Sequence, residues 1–77
     1  MKARVYVSLK PTVLDPQGQT ICSSLKGLGH KSIASVRAGK YFEIEIDSPE
    51  AAAEIDRIAR DVLANPVIED YRVELLK

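Results

Sequence analysis

The first hydrophobic signal in the chain is an alternation. Ala3, Val5, Val7 and Leu9 fall on one side, and Arg4, Tyr6 and Ser8 fall on the other. A period of two predicts a half-buried strand. The connection Lys10 to Leu14 ends it, and Asp15-Pro16 then announces a helix. Asp is a good cap, and Pro at the first helical position loses an N–H that would have had no partner there. Ile21, Leu25 and Leu28 follow at i, i+4 and i+7, with Cys22 beside them and Gly29 as the stop. The spacing predicts a helix over residues 16–28.

Beyond it, Ile33 to Ala38 reads as a short second strand and Phe42 to Asp47 as a third. Phe42, Ile44 and Ile46 form the apolar face of the third. A hairpin around Gly39-Lys40 would pair Val36 with Ile44 and Ala38 with Phe42. That leaves Gly39, Lys40 and Tyr41 as a loop of odd length, with a bulge near Gly39. Ser48-Pro49-Glu50 repeats the cap-then-Pro pattern. Ala51, Ala52, Ile55, Ile58, Ala59 and Val62 make one helical face. Asp56 with Arg60 and Arg57 with Asp61 are i, i+4 pairs worth about 0.2–0.5 kcal/mol each. Asn65-Pro66 ends this helix. A last strand runs from about Glu69 to Leu76, with Tyr71, Val73 and Leu75 on one side and Arg72 and Glu74 on the other.

The order is βαββαβ. It predicts an α+β, two-layer, ferredoxin-like arrangement, in which both helices cover one face of a four-stranded, mainly antiparallel sheet. The other face would display Arg4, Tyr6, Ser8, Arg37, Tyr41, Glu43, Glu45, Arg72 and Glu74. No linker, repeat or low-complexity stretch divides residues 1–77, so one domain is expected.

Composition sharpens this picture. A chain of 77 residues buries only about 60–65% of its unfolded surface, which makes stability marginal. One Cys and one His exclude an internal disulfide and make a structural zinc implausible. Small domains lacking both devices often gain stability by oligomerising. Eleven basic residues balance eleven acidic ones. The basic stripe of a nucleic-acid binder is missing, as is the cationic face of a membrane-surface helix. No apolar stretch approaches the roughly 18 residues of a membrane span. A lone thiol without an export signal suits the cytoplasm.

The candidate chemistry is thin. His30 follows Gly29 with no companion ligand and reads as a solvated imidazole. Cys22 reads as a small hydrophobe beside a helical stripe. Glu43, Glu45 and Asp47 form a carboxylate row along one strand, which is more often a solvated face than a cation site. The glycines build no phosphate loop. RAGKYFEI resembles the aromatic strand of RNA-binding RRM domains only faintly, because Phe42 has core parity. Acylphosphatases share the strand–helix order, but Lys10-Pro11 stands where their anion loop would be. No nucleophile, base and orienting group can be assembled. No catalytic, cofactor-binding or metal-ligating residue is therefore assigned.

Three segments remain: LKPTVLDPQG (Leu9 to Gly18), VRAGKYFEIEI (Val36 to Ile46) and NPVIEDYRVE (Asn65 to Glu74). In order and at this spacing they resemble the PurS family, the small subunit of phosphoribosylformylglycinamidine synthase, over essentially the whole chain. Thr12 stands where Gly is common in that family, and His30 where an aromatic is usual. The first bears on loop geometry, and the second removes a packing group.

The resemblance implies a non-catalytic subunit of an ATP- and glutamine-dependent C–N ligase of de novo purine synthesis. Such a subunit would form a homodimer or larger self-assembly and bridge a glutaminase chain to a large synthetase chain for ammonia transfer. ATP, Mg and glutamine would be used by those partners, with no cofactor bound by this chain. Lys10, Asp15, Gln17, Gly18, Arg37, Gly39 and Lys40 are the candidates for facing partners or shaping the interface. Tyr6, Tyr41 and Tyr71, with the second sheet face, are the candidates for the dimer, since Tyr brings large area at little rotamer cost. The competing reading from another class is an ACT-like small-molecule-sensing module, which shares the element order and dimerises through sheets.

Overall fold

A computed structural model describes residues 1–76. Strand β1 (Lys2–Leu9) is central. It is flanked by β2 (Gly39–Glu45) and β3 (Glu69–Leu76), both antiparallel to it, in the order β2-β1-β3. Helix α1 (Pro16–Gly27) lies between β1 and β2 in the chain. Helix α2 (Ala51–Ile58) lies between β2 and β3 and ends in a π-turn, Ala59–Leu63.

The alternation read in β1 holds. Ala3, Val5 and Val7 are buried, and Ile55, Ala59 and Ala64 close over them. Cross-strand pairing puts Ile44 opposite Ala3 and Phe42 opposite Val5, so these two join the same face half-buried. Tyr71 and Val73 do so from β3. The core is small, aliphatic and one helix wide.

The π-turn explains a shift in the helical face. A π-turn takes one extra residue per turn, so the buried line runs Ile55, Ala59, Leu63. Val62, expected on the apolar face, is left 74% exposed. The expected pairs Asp56–Arg60 and Arg57–Asp61 give way to other partners. Arg60 Nε lies 3.1 Å from Asp61 Oδ1, and the Tyr71 hydroxyl donates to Asp56 Oδ1 at 3.1 Å. Ser48 Oγ accepts from the Glu50 N–H, while the cap position itself is Glu50, without a side-chain bond.

Two expectations fail, for a shared reason. The sheet has three strands among the described residues, because Ile33 to Ala38 pairs with no strand. The hairpin pairs Val36–Ile44 and Ala38–Phe42 do not form. The Ala38 N–H donates instead to Asp15 Oδ2 at 2.6 Å, and the chain runs straight from Gly39 into β2 without a bulge. Gly39 pairs with Ser8 and lies so near β1 that a Cβ would sit 2.9 Å from the Val7 carbonyl oxygen. Arg37, expected on the open sheet face, is outside the sheet altogether.

Nor do both helices cover the sheet. Only α2 does. Within α1, Gly18 alone is buried, while Ile21 is 40% and Leu28 77% exposed. The helix ends as the sequence implies, with Gly29 at φ 102° and His30 N–H bonded to the Leu25 carbonyl. That is a Schellman closure. The chain measures 50 × 28 × 13 Å, flat and elongated.

Ile55 fills the centre of this narrow core. Ile55→Ala is expected to cost about 2–5 kcal/mol, read as a lowered urea midpoint with an unchanged slope. A loss under about 1 kcal/mol would show that α2 is not what closes the sheet.

Candidate functional site

The three recognisable segments meet at one end of the sheet, where β1 leaves, α1 begins and β2 starts. Asp15 is the centre of this junction. It is 4% exposed. Its Oδ1 accepts from the Gly18 N–H at 3.0 Å, the expected helix cap, and its Oδ2 accepts from the Ala38 N–H at 2.6 Å. The Gly18 bond, then the Ala38 bond, with help from the Arg37 charge, hold the carboxyl below its ordinary range.

Arg37 completes the junction from the other side. Its guanidinium donates to the carbonyls of Val13 at 3.1 Å, Lys10 at 3.0 Å and Leu9 at 3.4 Å. Leu9 ends β1, and Lys10 and Val13 belong to the loop that follows, where the Lys10 carbonyl also accepts from the Val13 N–H at 2.9 Å. The side chain thus gathers the strand end and the loop around one cation. Gly18 must lack a side chain here, since a Cβ would be driven into the Val36 carbonyl oxygen.

A shallow cavity of about 230 Å³ opens at this junction. Asp15, Gln17, Gly39 and Lys40 line it together with Leu9 and Glu69. Four of the seven interface candidates therefore converge. Gly18 and Arg37 do not line it: Gly18 donates its N–H to Asp15, and Arg37 acts through its guanidinium on the loop. Lys10 is set apart: its N–H bonds the Ile68 carbonyl at 2.8 Å, and its ammonium lies 3.8 Å from Asp70. Lys40 extends over the Phe42 ring at 5.7 Å. Glu69 was not singled out from the sequence, where it reads only as a strand start. A second cavity of about 430 Å³ runs between α1 and residues 34–37, lined by Leu14, Gln19, Cys22 and Lys26 from the helix side.

The tyrosines divide. Tyr6 and Tyr41 sit opposite each other on the open sheet face, ring centroids 6.1 Å apart. Arg72 stacks over Tyr6 at 4.3 Å and Arg4 over Tyr41 at 5.2 Å, with Arg4 also bonded to Glu43 at 3.2 Å. Tyr71 points to the helix-covered face. Its hydroxyl, bonded to Asp56, titrates above the ordinary range because of that bond. Among the described residues no three His, Cys, Asp or Glu side chains gather as a metal set. The junction offers an ammonium, an amide and a saturated carboxylate, a combination suited to recognition through hydrogen bonds.

Comparison with known proteins points one way. Residues 2–77 match the family model described as PurS, phosphoribosylformylglycinamidine (FGAM) synthase. The chain is 49% identical over 72 residues to the PurS subunit of that synthase from Mycobacterium leprae, covering 94% of this chain and 91% of the other. Its fold superimposes on PurS of Bacillus subtilis with a TM-score of 0.88 at 40% identity, covering 99% and 98% of the two chains. It also superimposes on a chain of the PurLQS structure from Thermotoga maritima, with a TM-score of 0.78 at 33% identity and coverage of 97% and 95%.

Two outcomes test the junction. Gly18→Ala is expected to lose about 1–3 kcal/mol by overpacking against Val36. Gly27→Ala, where a Cβ meets nothing within 4 Å, should gain up to about 1 kcal/mol in the same denaturant series. Equal effects would remove the close contact from the account. For pH, a carboxyl with a lowered folded-state pKa adds stability above its unfolded value of about 3.9, and this is lost as pH falls through the folded value. Arg37 is the charged group that acts on it, and Lys40 and Glu69 line the same cavity. Stability should fall steeply below about pH 4, and Asp15→Asn should flatten that limb in acid titrations followed by circular dichroism. An unchanged limb would contradict the assignment.

Proposed function

Because the chain belongs to the PurS family, a subunit of the FGAM synthase of purine biosynthesis, we propose that it serves that ligase as a non-catalytic scaffold. In this reading it pairs with a second copy of itself and joins a glutaminase chain to an ATP-dependent synthetase chain, so that ammonia passes between them. ATP, Mg and glutamine belong to those partners. The compartment is the cytoplasm.

One observation carries the reading. A helix with an apolar stripe stands away from the sheet, its Ile21 and Leu28 uncovered. A domain whose buried core comprises Ala3, Val5, Val7, Ala51, Ile55, Ala59 and Ala64 has little apolar area to hold it folded, and covering α1 with a neighbour would add to it. The relative in the PurLQS structure has the same fold. The open face, with its Arg–Tyr stacks, supplies a second surface enriched in residue types that favour interfaces. The cavity between α1 and β2, lined by Gln17 and Lys40, is a third. We assign Lys10, Gln17 and Lys40 to contacts with other subunits, Asp15, Gly18, Arg37 and Gly39 to shaping them, and Tyr6, Tyr41 and Tyr71 to the dimer.

Reconstitution tests this. The chain is combined with glutaminase and synthetase subunits from one organism, and amidine formation is measured with glutamine and then with free ammonia. Omitting the chain should abolish glutamine-dependent turnover and spare much of the ammonia-dependent rate. Lys40→Ala with Gln17→Ala should lower the glutamine-dependent rate at least about tenfold, equivalent to 1.4 kcal/mol. Glutamine-dependent turnover unaltered by omission of the chain would end the scaffold reading.

A further inference from the structure

The α1 segment leaves the sheet after Leu9 and returns to it at Gly39. Between those points it forms an arm, with α1 lying against residues 34–37. The two halves of the arm touch closely, as the Gly18 approach to Val36 and the 4.0 Å approach of Cys22 Sγ to the Ala34 carbonyl show. The arm does not rest on the sheet. Its apolar side chains Ile21 and Leu28 are uncovered, so burial against the body does not set its angle. Something else must.

We propose that the Asp15 carboxylate is the latch that fixes the angle of this arm, making Asp15 a positioning residue for whatever subunit the arm meets. This rests on the scaffold reading only for its use, since the latch itself is a property of the single chain. One oxygen holds the first turn of α1 through Gly18 N–H, and the other holds the entry to β2 through Ala38 N–H. A single rigid carboxylate thus ties the helix to the strand. Arg37 fastens the loop 9–13 to the same strand entry, which leaves Asp15 as the tie to the helix itself. An amide in its place can accept at one atom only. Asn at 15 could cap the helix or hold Ala38, but not both. Leu14 and Val13, next in the chain, make no substitute bond to either donor.

The test reads a distance inside one chain. Spin labels are placed at Lys26→Cys on α1 and Arg57→Cys on α2 in a Cys22→Ser background. The labelled chain is diluted into excess unlabelled chain so that only intrachain distances appear. With Asp15 present, the distribution should be narrow. With Asp15→Asn it should broaden at least twofold while the strand signal in circular dichroism persists. A distribution of unchanged width would overturn the latch. If Asp15→Asn does not fold, amide exchange in the unaltered chain decides. The Gly18 and Ala38 amides should then exchange at one common rate, faster than those of Val5 and Phe42. Exchange of all four together would show that no separate latch opens, and the proposal would fall.

Discussion

Everything distinctive in this molecule follows from a sheet that one helix can close. β1 offers only Ala3, Val5 and Val7 to the covering layer, and Ile55, Ala59 and Ala64 are enough to seal them. The π-turn keeps Leu63 in line with that seal and turns Val62 out. α1 does not join that face: Phe42, Ile44 and Val73 stay half-buried there and Leu75 is 45% exposed. The apolar stripe of α1 therefore remains unsatisfied by its own chain, and the polar groups at its base carry its attachment.

That attachment is made of directed bonds. Backbone donors and acceptors need partners, and at this junction Asp15 serves the Gly18 and Ala38 N–H groups while Arg37 serves the Lys10 and Val13 carbonyls. The result is a narrow waist where loop, helix start and strand start share two charged side chains of opposite sign. Gly18 and Gly39 let backbones approach where any side chain would intrude. A rigid waist with an apolar arm on one side and an Arg–Tyr lattice on the other is a shape for joining proteins.

Much of this was legible in the residues. The period of two in β1 and β3, the Asp15-Pro16 start of α1, the Gly29 stop and the Asn65-Pro66 end of α2 each have a local cause that tertiary context did not override. The Ile33 to Ala38 segment has the composition of a strand yet joins no ladder. What composition does not show is that Ala38 N–H is taken by a carboxylate 23 residues away. The stripe of α1 was visible, but periodicity reports an apolar face and not what covers it. At the site, Asp15, Gln17, Gly39 and Lys40 stood out through their segments and do converge on one cavity. Glu69 joins them only because β3 is antiparallel to β1 and begins beside Leu9, a register no local signal carries. Tyr71 was grouped with Tyr6 and Tyr41 by residue type, yet strand parity sends it to the opposite face.

The central claim is that this chain acts through surfaces given to other subunits, with the α1 arm foremost. Hydrogen exchange of the chain alone and then within the assembled synthase measures this directly. The account predicts new protection across α1 and residues 33–38, with little change along β1, whose amides are already in ladders on both sides. An arm that exchanges equally fast in both states, while the assembly is intact, would contradict it.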